Sequence, residues 1–398
     1  MRRPLESFGT RGGRLIVVLV IVAAAAAVAV FLLPRSDGPL TTEVVQSGLE
    51  HPWDIAFAAD GRMVVSERIG RVRVFASAAQ DAELLHTATV PEVRAELESG
   101  LMGIAIHDDA VYVCATRGPD ASAPVSWRID LLRADLVRDG SLSTFEPLPL
   151  GPTVGGPRHQ GCAVEIGPDR HLWLAIGDAN LPGTENPAQD PAALNGKVIR
   201  LALDGSVPSD APMSNGAYSL GHRNPQGIAF GPDGLFVSVE HGTDTNDEIN
   251  VLEPGANYGY PCVTGAGDRG PFPEVCADTA SFRPPAWASG VPTIATSGAA
   301  FLTGPAWGEW DGSLAVTTLK DEDLRRFSVG TDGAVALEDT LLDGRFGRLR
   351  AAVIGTDDAL YISTANGDED QIVRITLEDP LDATPGEGWS GPEDSNQQ

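Results

Sequence analysis

Lysine is almost absent from this sequence of 398 residues. There are two lysines, Lys197 and Lys320, and the other 26 of the 28 basic side chains are arginines. Aspartate and glutamate together number 55, which gives a formal net charge of −27. Proteins that bind nucleic acids are typically basic, so the composition predicts no nucleic-acid partner. The negative charge suits a soluble extracytoplasmic domain, but it carries no information about the fold.

Several motifs of common enzyme classes are also missing. The chain has no G-x-S-x-G nucleophile elbow and no G-x-x-x-x-G-K-[ST] phosphate loop. Its predicted strands are not followed by helices, so no dinucleotide-binding Rossmann unit is present. These absences exclude an α/β-hydrolase, a P-loop nucleotidase and an enzyme that binds NAD in the usual way.

Cysteine is scarce, and no two cysteines form a C-x-x-C pair, which excludes common zinc and thioredoxin-like sites. Cys262 and Cys276 bracket a turn-rich loop, and we predict a disulfide between them that contributes about 3 kcal/mol by loop closure. Cys114 and Cys162 lie on or beside predicted strands. They form either a second disulfide or two buried thiols.

The N-terminus carries the one long apolar run. Residues 1–14 contain four arginines, and Leu15–Leu33 follow as nineteen apolar residues without charge. A helix of that length spans about 28 Å, close to one hydrocarbon core. Only Arg35 follows at once, so the positive-inside rule predicts a cytoplasmic segment 1–14 and an uncleaved transmembrane signal-anchor at 15–33. The alternative is a cleaved signal peptide and a secreted protein. Either way the bulk is extracytoplasmic, where disulfides form.

Glycine and proline are abundant, at 45 and 30 residues, which excludes a helical bundle. A hairpin pattern, an apolar strand, a turn with Asp or Gly and a second apolar strand, recurs every 50 to 70 residues or so. The six copies begin at Asp54, Gly103, Ala163, Gly227, Ala300 and Ala351. Further strand candidates lie between the copies. This repetition predicts an all-β fold, a six-bladed β-propeller of four-stranded antiparallel blades.

We place the propeller at residues 41–378, after a short linker at 34–40. A strand near Thr42–Val45 is expected to complete the blade that the C-terminal strands begin, which closes the ring. Residues 379–398 are acidic and rich in proline and glycine, so they are predicted to be a disordered tail. An open sandwich is the alternative fold, but six copies of one hairpin favour the ring.

A His and an Asp stand at the two ends of the third hairpin. His159 precedes its first strand, and Asp178 follows its second strand nineteen residues later. Both ends of a hairpin return to the same edge, so we expect Asp178 to reach His159. A carboxylate on one imidazole nitrogen fixes the tautomer and leaves the other nitrogen available as a base.

The stretch from Tyr218 to Pro261 combines several distinctive motifs. It contains G-H-R-N-P-Q-G at 221–227, E-H-G at 240–242, D-E-I-N at 247–250 and N-Y-G-Y-P at 257–261. Together these motifs resemble the soluble glucose dehydrogenase and sorbosone dehydrogenase family, whose members depend on pyrroloquinoline quinone (PQQ). The resemblance extends over about Leu49 to Thr376.

The resemblance implies roles for four polar residues. His159 would remove the hydroxyl proton of a sugar, and Asp178 would orient the imidazole of His159. Arg223 and Asn224 would contact the quinone, and the arginine would stabilise negative charge on the reduced cofactor.

The resemblance also implies a binding site for the three carboxylates of PQQ. Lys320 follows a strand of the fifth repeat, and Arg348 and Arg350 form an R-x-R pair before the sixth. Residues two apart on a strand face the same side, so the two arginines can act together. Glu98, in E-S-G-L-M-G, stands where the family often has a cofactor-contacting Gln. A carboxylate facing an anion is unfavourable unless it is protonated or bridged by a metal ion.

Calcium is the metal that the resemblance implies. One ion would be held by the backbone carbonyls of Gly242 and Thr243, although the family usually has Pro at the second position. In close relatives a second ion uses a carboxylate and a carbonyl that correspond to Glu248 and Tyr258. Ca²⁺ prefers oxygen ligands in turns rich in Asp and Gly. The alternative is that these acidic loops are simply solvated.

We therefore predict a membrane-anchored, PQQ- and calcium-dependent dehydrogenase that oxidises a sugar and passes electrons to an external acceptor. Two alternatives use the same fold. One is a non-catalytic propeller that binds a carbohydrate or a protein, because a propeller does not imply catalysis. The other is a metal-dependent lactonase.

Overall fold

The computed structural model describes residues 39–119, 126–276 and 281–378. The segments 1–14 and 15–33, the linker up to residue 38 and the tail 379–398 lie outside these ranges, so their predictions stay open. Within the described ranges, no helix is long and apolar enough to span a membrane.

Six antiparallel sheets of four strands each form the blades, as predicted. Blade 1 comprises β2 (Pro52–Phe57), β3 (Met63–Glu67), β4 (Arg71–Phe75) and β5 (Leu84–Thr89). Blade 2 comprises β6 (Leu101–His107), β7 (Ala110–Arg117), β8 (Arg128–Asp135) and β9 (Glu146–Pro147). Blade 3 comprises β10 (Gly161–Ile166), β11 (Leu172–Ile176), β12 (Lys197–Leu201) and β13 (Ala217–Leu220).

Blades 4 to 6 complete the ring, and a small hairpin is inserted in blade 4. Blade 4 comprises β14 (Pro225–Phe230), β15 (Phe236–Glu240), β16 (Glu248–Val251) and β19 (Trp287–Ala288), and its inserted hairpin comprises β17 (Val263–Thr264) and β18 (Asp268–Arg269). Blade 5 comprises β20 (Thr296–Phe301), β21 (Leu314–Thr318), β22 (Leu324–Val329) and β23 (Val335–Leu341). Blade 6 comprises β24 (Leu349–Ile354), β25 (Leu360–Thr364), β26 (Asp370–Leu377) and β1 (Leu40–Leu49). Short 3₁₀ turns occupy Gly183–Glu185, Pro187–Gln189, Pro232–Gly234, Pro273–Val275 and Pro305–Trp310.

The ring closes between the two ends of the described chain. β1 pairs antiparallel with β26, with Leu40 opposite Leu377 and Leu49 opposite Asp370. The predicted closing strand is therefore confirmed, and it is longer than Thr42–Val45. Leu40, which the sequence assigned to the linker, belongs to the propeller because its side chain is buried in the closing blade.

The hydrophobic core lies between neighbouring blades. The second strand of every blade is buried at every position, because each sheet is covered on both faces. The first strand of each blade packs against the first strand of the next, which forms the inner wall of the ring. One blade could not bury both faces alone, which is why the repeats must form a ring.

Two disulfides are present. Cys262 and Cys276 are joined as predicted, and they close the loop that carries the inserted hairpin. Cys114 and Cys162, which the sequence left open, are also joined, and they tie β7 of blade 2 to β10 of blade 3.

Candidate active site

A pocket, called the polar pocket below, opens at the end of the ring where loops from blades 2 to 5 meet. It is lined by Glu98, Arg158, His159, Arg223, Asn224, His241, Gly242, Thr243, Asp247, Thr293 and Ala295. Most of these residues come from the segments that the sequence motifs had singled out.

His159 and Asp178 meet at this pocket, as their positions in the hairpin predict. Nδ1 of His159 lies 2.8 Å from Oδ1 of Asp178, and both side chains are buried. The carboxylate also accepts hydrogen bonds from the backbone N–H of Asn180 (2.9 Å) and from Nδ2 of Asn186 (2.6 Å). An ionised acceptor on Nδ1 fixes the tautomer with its proton there.

The backbone around His159 is unusual and explains the glycine before Asp178. His159 has a φ of 53°, in the left-handed region that residues with a side chain seldom adopt. Its carbonyl oxygen lies where a Cβ atom of residue 177 would be, so only glycine fits at Gly177. The same carbonyl accepts a hydrogen bond from the N–H of Ala179. Gly177 thus leaves room for the backbone of His159, and Asp178 binds its imidazole ring.

Arg223 approaches the other nitrogen of the imidazole. Its Nη2 lies 2.9 Å from Nε2 of His159, and its Nη1 donates to the carbonyl of His241 at 3.0 Å. The backbone N–H of Arg223 donates to Glu240. Nε2, which the sequence analysis expected to be available, therefore accepts a hydrogen bond from a guanidinium. The sequence could not show this contact, because it joins loops of two different blades.

Asn224 links three segments beneath the pocket. Its Oδ1 accepts hydrogen bonds from the N–H of Gly161 (3.1 Å) and from Nε2 of Gln226 (2.9 Å). Its Nδ2 lies 3.4 Å from Nδ1 of His241. Asn224 thus fixes the loop just after His159 relative to the start of blade 4.

His241 lines the pocket as a neutral imidazole. Burial lowers the pKa of His241 to about 4, the positive charge of Arg223 acts in the same direction, and the charge of Asp247 opposes both. Its Nε2 atom is buried and has no hydrogen-bond partner among the described residues. A buried polar atom without a partner is costly, so this nitrogen is suited to contact a ligand.

A second cavity, which we call the arginine pocket, adjoins the polar pocket and shares Glu98 with it. It is lined by His51, Trp53, Arg68, Leu97, Glu98, Arg348, Arg350 and Ala365. The two arginines of the R-x-R pair thus face one cavity, as predicted. Burial, together with the nearby charges of Arg348 and Arg68, lowers the pKa of Arg350 to about 9.

Glu98 is ionised and paired. Its Oε1 accepts a hydrogen bond from Arg158 Nη1 at 2.9 Å, and its Oε2 accepts one from the backbone N–H of His159 at 3.0 Å. Burial raises the pKa of Glu98, but the His159 N–H and the surrounding positive charges more than offset this, and the pKa is lowered. Arg158 thus pairs with the carboxylate of Glu98 in the structure.

Lys320 lies at the rim rather than inside either pocket. Its Nζ donates a hydrogen bond of 3.1 Å to the hydroxyl of Thr293, which lines the polar pocket. The side chain is exposed. The predicted cations therefore reach the same end of the ring, with Lys320 at its edge.

The predicted calcium ligands divide into two groups. Gly242 and Thr243 line the polar pocket, and the N–H of Gly242 donates to Asp247 at 2.7 Å. Glu248 and Tyr258 do not line it. Across the described ranges, no three His, Cys, Asp or Glu side chains are grouped so as to hold a metal ion.

Glu248 and Tyr258 contact one buried polar network behind the pocket. At its centre, Glu240 is hydrogen-bonded to His222 (3.0 Å) and to Asn250 (2.6 Å). Tyr258 reaches the network by stacking its ring on His222, and Glu248 reaches it by accepting a hydrogen bond of 3.3 Å from Asn250. Burial, together with the negative charge of Glu240, raises the pKa of Glu248 to about 8. The side-chain oxygen of Asn250 is buried and has no hydrogen-bond partner within the described part of the chain. Two close carboxylates and an unpaired oxygen form a donor set that suits a hard cation.

Sequence reasoning missed four residues at these pockets. Arg68 and Arg158 had no signal, because they are single arginines among many. His241 and Tyr260 stood in quoted motifs, E-H-G and N-Y-G-Y-P, but received no role. The ring centroid of Tyr260 lies 5.9 Å from the guanidinium carbon of Arg223, just before the disulfide-closed loop.

These features define a class of protein: a six-bladed propeller in which a hydrogen-bonded His–Asp pair and a group of arginines share one end of the ring. A family model described as Glucose / Sorbosone dehydrogenase matches residues 49–374. The chain belongs to this family.

Individual relatives agree with this assignment. The aldose sugar dehydrogenase YliI of Escherichia coli is 31% identical over 82% of this chain and 90% of its own length. Quinoprotein glucose dehydrogenase B of Acinetobacter calcoaceticus is 32% identical over 57% of this chain and 53% of its own. Among solved structures, the PQQ-bound aldose sugar dehydrogenase of Streptomyces coelicolor is 25% identical, with a TM-score of 0.67, and covers 86% of this chain and 99% of that one.

Proposed function

We propose that this protein is a dehydrogenase that oxidises a sugar with PQQ as cofactor and calcium as its metal ion. The observation that carries the proposal is the 2.8 Å pair of His159 and Asp178 beside Arg223, at the arginine-rich end of a propeller of this family. Relatives with the same fold are named quinoprotein glucose dehydrogenase and aldose sugar dehydrogenase.

The pockets have the chemistry that a flat trianion needs. Arg350 is enclosed near Arg348 and Arg68, and burial together with these two positive charges lowers its pKa to about 9. The buried Nε atoms of Arg68 and Arg223 also have no partner among the described residues. An anion would satisfy both conditions, so we assign Arg348, Arg350 and Lys320 to the cofactor carboxylates. PQQ, when bound, supplies the acceptor for the hydride that leaves the sugar carbon.

His159 is assigned the role of base. Asp178 keeps the proton of the neutral ring on Nδ1, so Nε2 carries the lone pair that can take the sugar hydroxyl proton. The hydroxyl must then replace Arg223 Nη2 as the hydrogen-bond donor to Nε2. Arg223 remains tied to the carbonyl of His241 and keeps its positive charge beside the reacting atoms. That charge favours negative charge developing there.

Calcium is assigned to two places. Gly242 and Thr243 line the polar pocket, where their carbonyls can hold an ion against an anionic ligand. Glu248, with the carbonyl of Tyr258, is assigned to a second ion near Glu240, whose charge an ion would neutralise. Glu98 is placed beside the cofactor, held in its ionised form by Arg158.

We further propose that residues 15–33 anchor the protein in the cell membrane with the propeller outside the cytoplasm, where an external acceptor takes the electrons. Fractionation of cells that express the full-length chain tests the anchor. We expect the protein in the membrane fraction, resistant to alkaline carbonate. Recovery in the medium with a shortened N-terminus would instead show cleavage.

Reconstitution tests the function. The full-length chain with added PQQ and Ca²⁺ should reduce an artificial dye when aldoses are supplied, and calorimetry should detect PQQ binding. The proposal would be contradicted if no sugar of a broad panel supported dye reduction in the presence of PQQ and Ca²⁺, and if calorimetry detected no heat of PQQ binding. Lactone hydrolysis or carbohydrate binding without turnover would then identify which alternative holds.

A further inference from the structure

Lys197, one of the two lysines of the chain, is a buried cation to which the proposed reaction gives no role. Its side chain is fully enclosed at the start of β12. Its Nζ donates to three backbone carbonyls, those of Pro187 (2.9 Å), Ala188 (3.0 Å) and Asn195 (2.9 Å). None of these three acceptors carries a charge, so peptide dipoles alone hold the nitrogen.

The three contacts correspond to the protonated form of the side chain. An ammonium has three N–H donors, whereas a neutral amine has two. Burial lowers the pKa of Lys197 to about 7, and the negative charge of Asp190 opposes this. Keeping an ammonium inside the protein is costly, and an apolar side chain could fill the same space without that cost. The benefit of a lysine must therefore lie in the backbone segments that it joins.

All three acceptors belong to one loop, residues 177–196, which connects β11 to β12. The loop folds back closely on itself. A Cβ atom at position 196 would lie 2.5 Å from the Cα atom of Ala188, so glycine is required at Gly196. Lys197 thus joins the middle of the loop, at Pro187 and Ala188, to its end at Asn195.

Asn186 connects this loop to the candidate active site. Its Nδ2 donates to Oδ2 of Asp178 at 2.6 Å and to the carbonyl of Leu181 at 2.8 Å. Its Oδ1 accepts a hydrogen bond of 3.0 Å from the N–H of Ala188, whose carbonyl accepts from Lys197. One peptide residue, Ala188, therefore separates the ammonium from the asparagine that orients Asp178.

Asn195 acts on the backbone next to Asp178. Its Nδ2 donates to the carbonyl of Gly177 at 3.0 Å, while its own carbonyl accepts from Lys197. The ammonium therefore acts on Asp178 in two ways, through its side chain and through the preceding residue. The other carboxylate oxygen of Asp178, Oδ1, lies 2.8 Å from Nδ1 of His159.

We propose that Lys197 is a positioning residue: its ammonium fixes the loop so that the two asparagines hold Asp178 against Nδ1 of His159. Lys197 lines neither the polar pocket nor the arginine pocket, so it acts only through the loop. Small errors in the orientation of a base have large effects on rate. The consequence for turnover rests on the proposed function, whereas the positioning itself is measured without turnover.

The proton on Nδ1 of His159 reports the positioning directly. The full-length chain, labelled with ¹⁵N in its histidines, is compared with Lys197→Met, which keeps an unbranched side chain without a donor. His159→Asn identifies the signal. We expect the Nδ1–H proton to resonate upfield of its wild-type position, because the hydrogen bond to Asp178 lengthens when the loop is held less well. An unchanged resonance would overturn the proposal.

A double-mutant cycle tests the route through the loop. Asn186→Ala removes a donor to Asp178, so it should move the same proton resonance in the same direction. Because Lys197 acts through the same network, the double variant should shift the resonance by clearly less than the sum of the two single shifts. Fully additive shifts would contradict the proposal.

Kinetics separate positioning from a general loss of stability. Lys197→Met should lower kcat about tenfold and leave KM and the Kd for PQQ within about twofold, because both pockets keep their lining residues. Equal kcat in Lys197→Met and wild type would refute the proposal.

Arg62→Met is the matched control for these measurements. It also removes a buried cation that donates to a backbone carbonyl, that of Val137 at 2.6 Å, but it lies in the turn between β2 and β3. The variant should lower the Tm and leave both kcat and the Nδ1–H resonance of His159 unchanged. The same loss of kcat as in Lys197→Met would contradict a specific role for Lys197.

Two further results separate the possible causes of failure. Lys197→Gln keeps two N–H donors, so it replaces Lys197→Met if that variant does not fold, and it should move the resonance and kcat in the same directions. A wild-type protein that does not turn over would contradict the proposed function, and the Nδ1–H resonance would still decide the role of Lys197.

Discussion

The guanidinium of Arg350 stacks on the indole of Trp53, with its Cζ atom 3.6 Å from the ring centroid. Stacking fixes the flat group and leaves its edges available for hydrogen bonds. One edge reaches Gln226 at 3.2 Å. Trp53 therefore presents Arg350 to the arginine pocket in a defined direction.

Arg350→Met should weaken the binding of PQQ about tenfold to a hundredfold, because a hydrogen bond to a charged group contributes about 1.5–3 kcal/mol. Methionine keeps an unbranched apolar side chain against Trp53, so the fold should be maintained. Calorimetry with PQQ measures the Kd. Arg133→Met, on an outer strand beside Asp135, is the control. Equal Kd values for the two variants would contradict the assignment of Arg350 to the cofactor.

His159→Asn should reduce kcat by a factor on the order of 10² to 10⁴, the usual contribution of a general base. The Kd for PQQ should change little, because the arginines are retained. Dye reduction and calorimetry measure the two quantities. His86→Asn, on the outer strand β5, should behave as wild type. Loss of both turnover and PQQ binding in His159→Asn would mean that His159 is structural.

Glu248→Gln should remove a calcium-dependent gain in stability. A ligand that binds only the native state stabilises it by about 2.7 kcal/mol at a hundred times its Kd. We therefore expect Ca²⁺ to raise the Tm of the wild type and a chelator to lower it, with a smaller response in the variant. Glu253→Gln, at an exposed ion pair with Arg283, is the control. The same calcium response in all three proteins would remove Glu248 from the ligand set.

Glu165 faces the centre of the ring, and its charge should make stability depend on pH. Burial, together with the nearby charge of Asp54, raises the pKa of Glu165 to about 8. Because the folded-state pKa lies above the ordinary 4.5, the folded state loses stability as the pH rises through 8, by at most about 1.4 kcal/mol for each pH unit by which the pKa is displaced.

Glu165→Gln removes that ionisation. Its Tm should match that of the wild type near pH 5 and exceed it at pH 9. Thermal unfolding across this range, with surface Glu83→Gln as the control, measures the difference. A constant difference in Tm from pH 5 to 9 would show that Glu165 does not titrate in the folded protein.

The two disulfides should differ in how much each contributes to the free energy of unfolding. The loop closed by Cys262 and Cys276 spans 14 residues and that closed by Cys114 and Cys162 spans 48. Loop-closure entropy then assigns them about 3 and 4 kcal/mol. Double Cys→Ser variants measured by denaturant unfolding test the order. Mild reductant should cleave the first bond sooner, because Cys114 and Cys162 are fully buried. Equal rates of cleavage would contradict this.

The predictable features of this protein were local in sequence. Strand alternation and turn residues within each repeat identified the six hairpins, and the ends of one hairpin brought His159 to Asp178. The contact of Arg223 with Nε2 of His159 and the salt bridge of Arg158 with Glu98 join loops from different blades. Such contacts depend on how the blades are oriented, which the pattern within one repeat does not encode. The pairing of Cys114 with Cys162 stayed open for the same reason.

The last blade takes its outermost strand, β1, from the beginning of the propeller and its other three strands from the end. During synthesis β1 is made first, and its partner β26 is made only after more than 300 further residues. Until then the ring remains open, and the loops of separate blades have no common centre. The last blade, and with it the closed ring, is therefore complete only after β26 has been made and paired with β1.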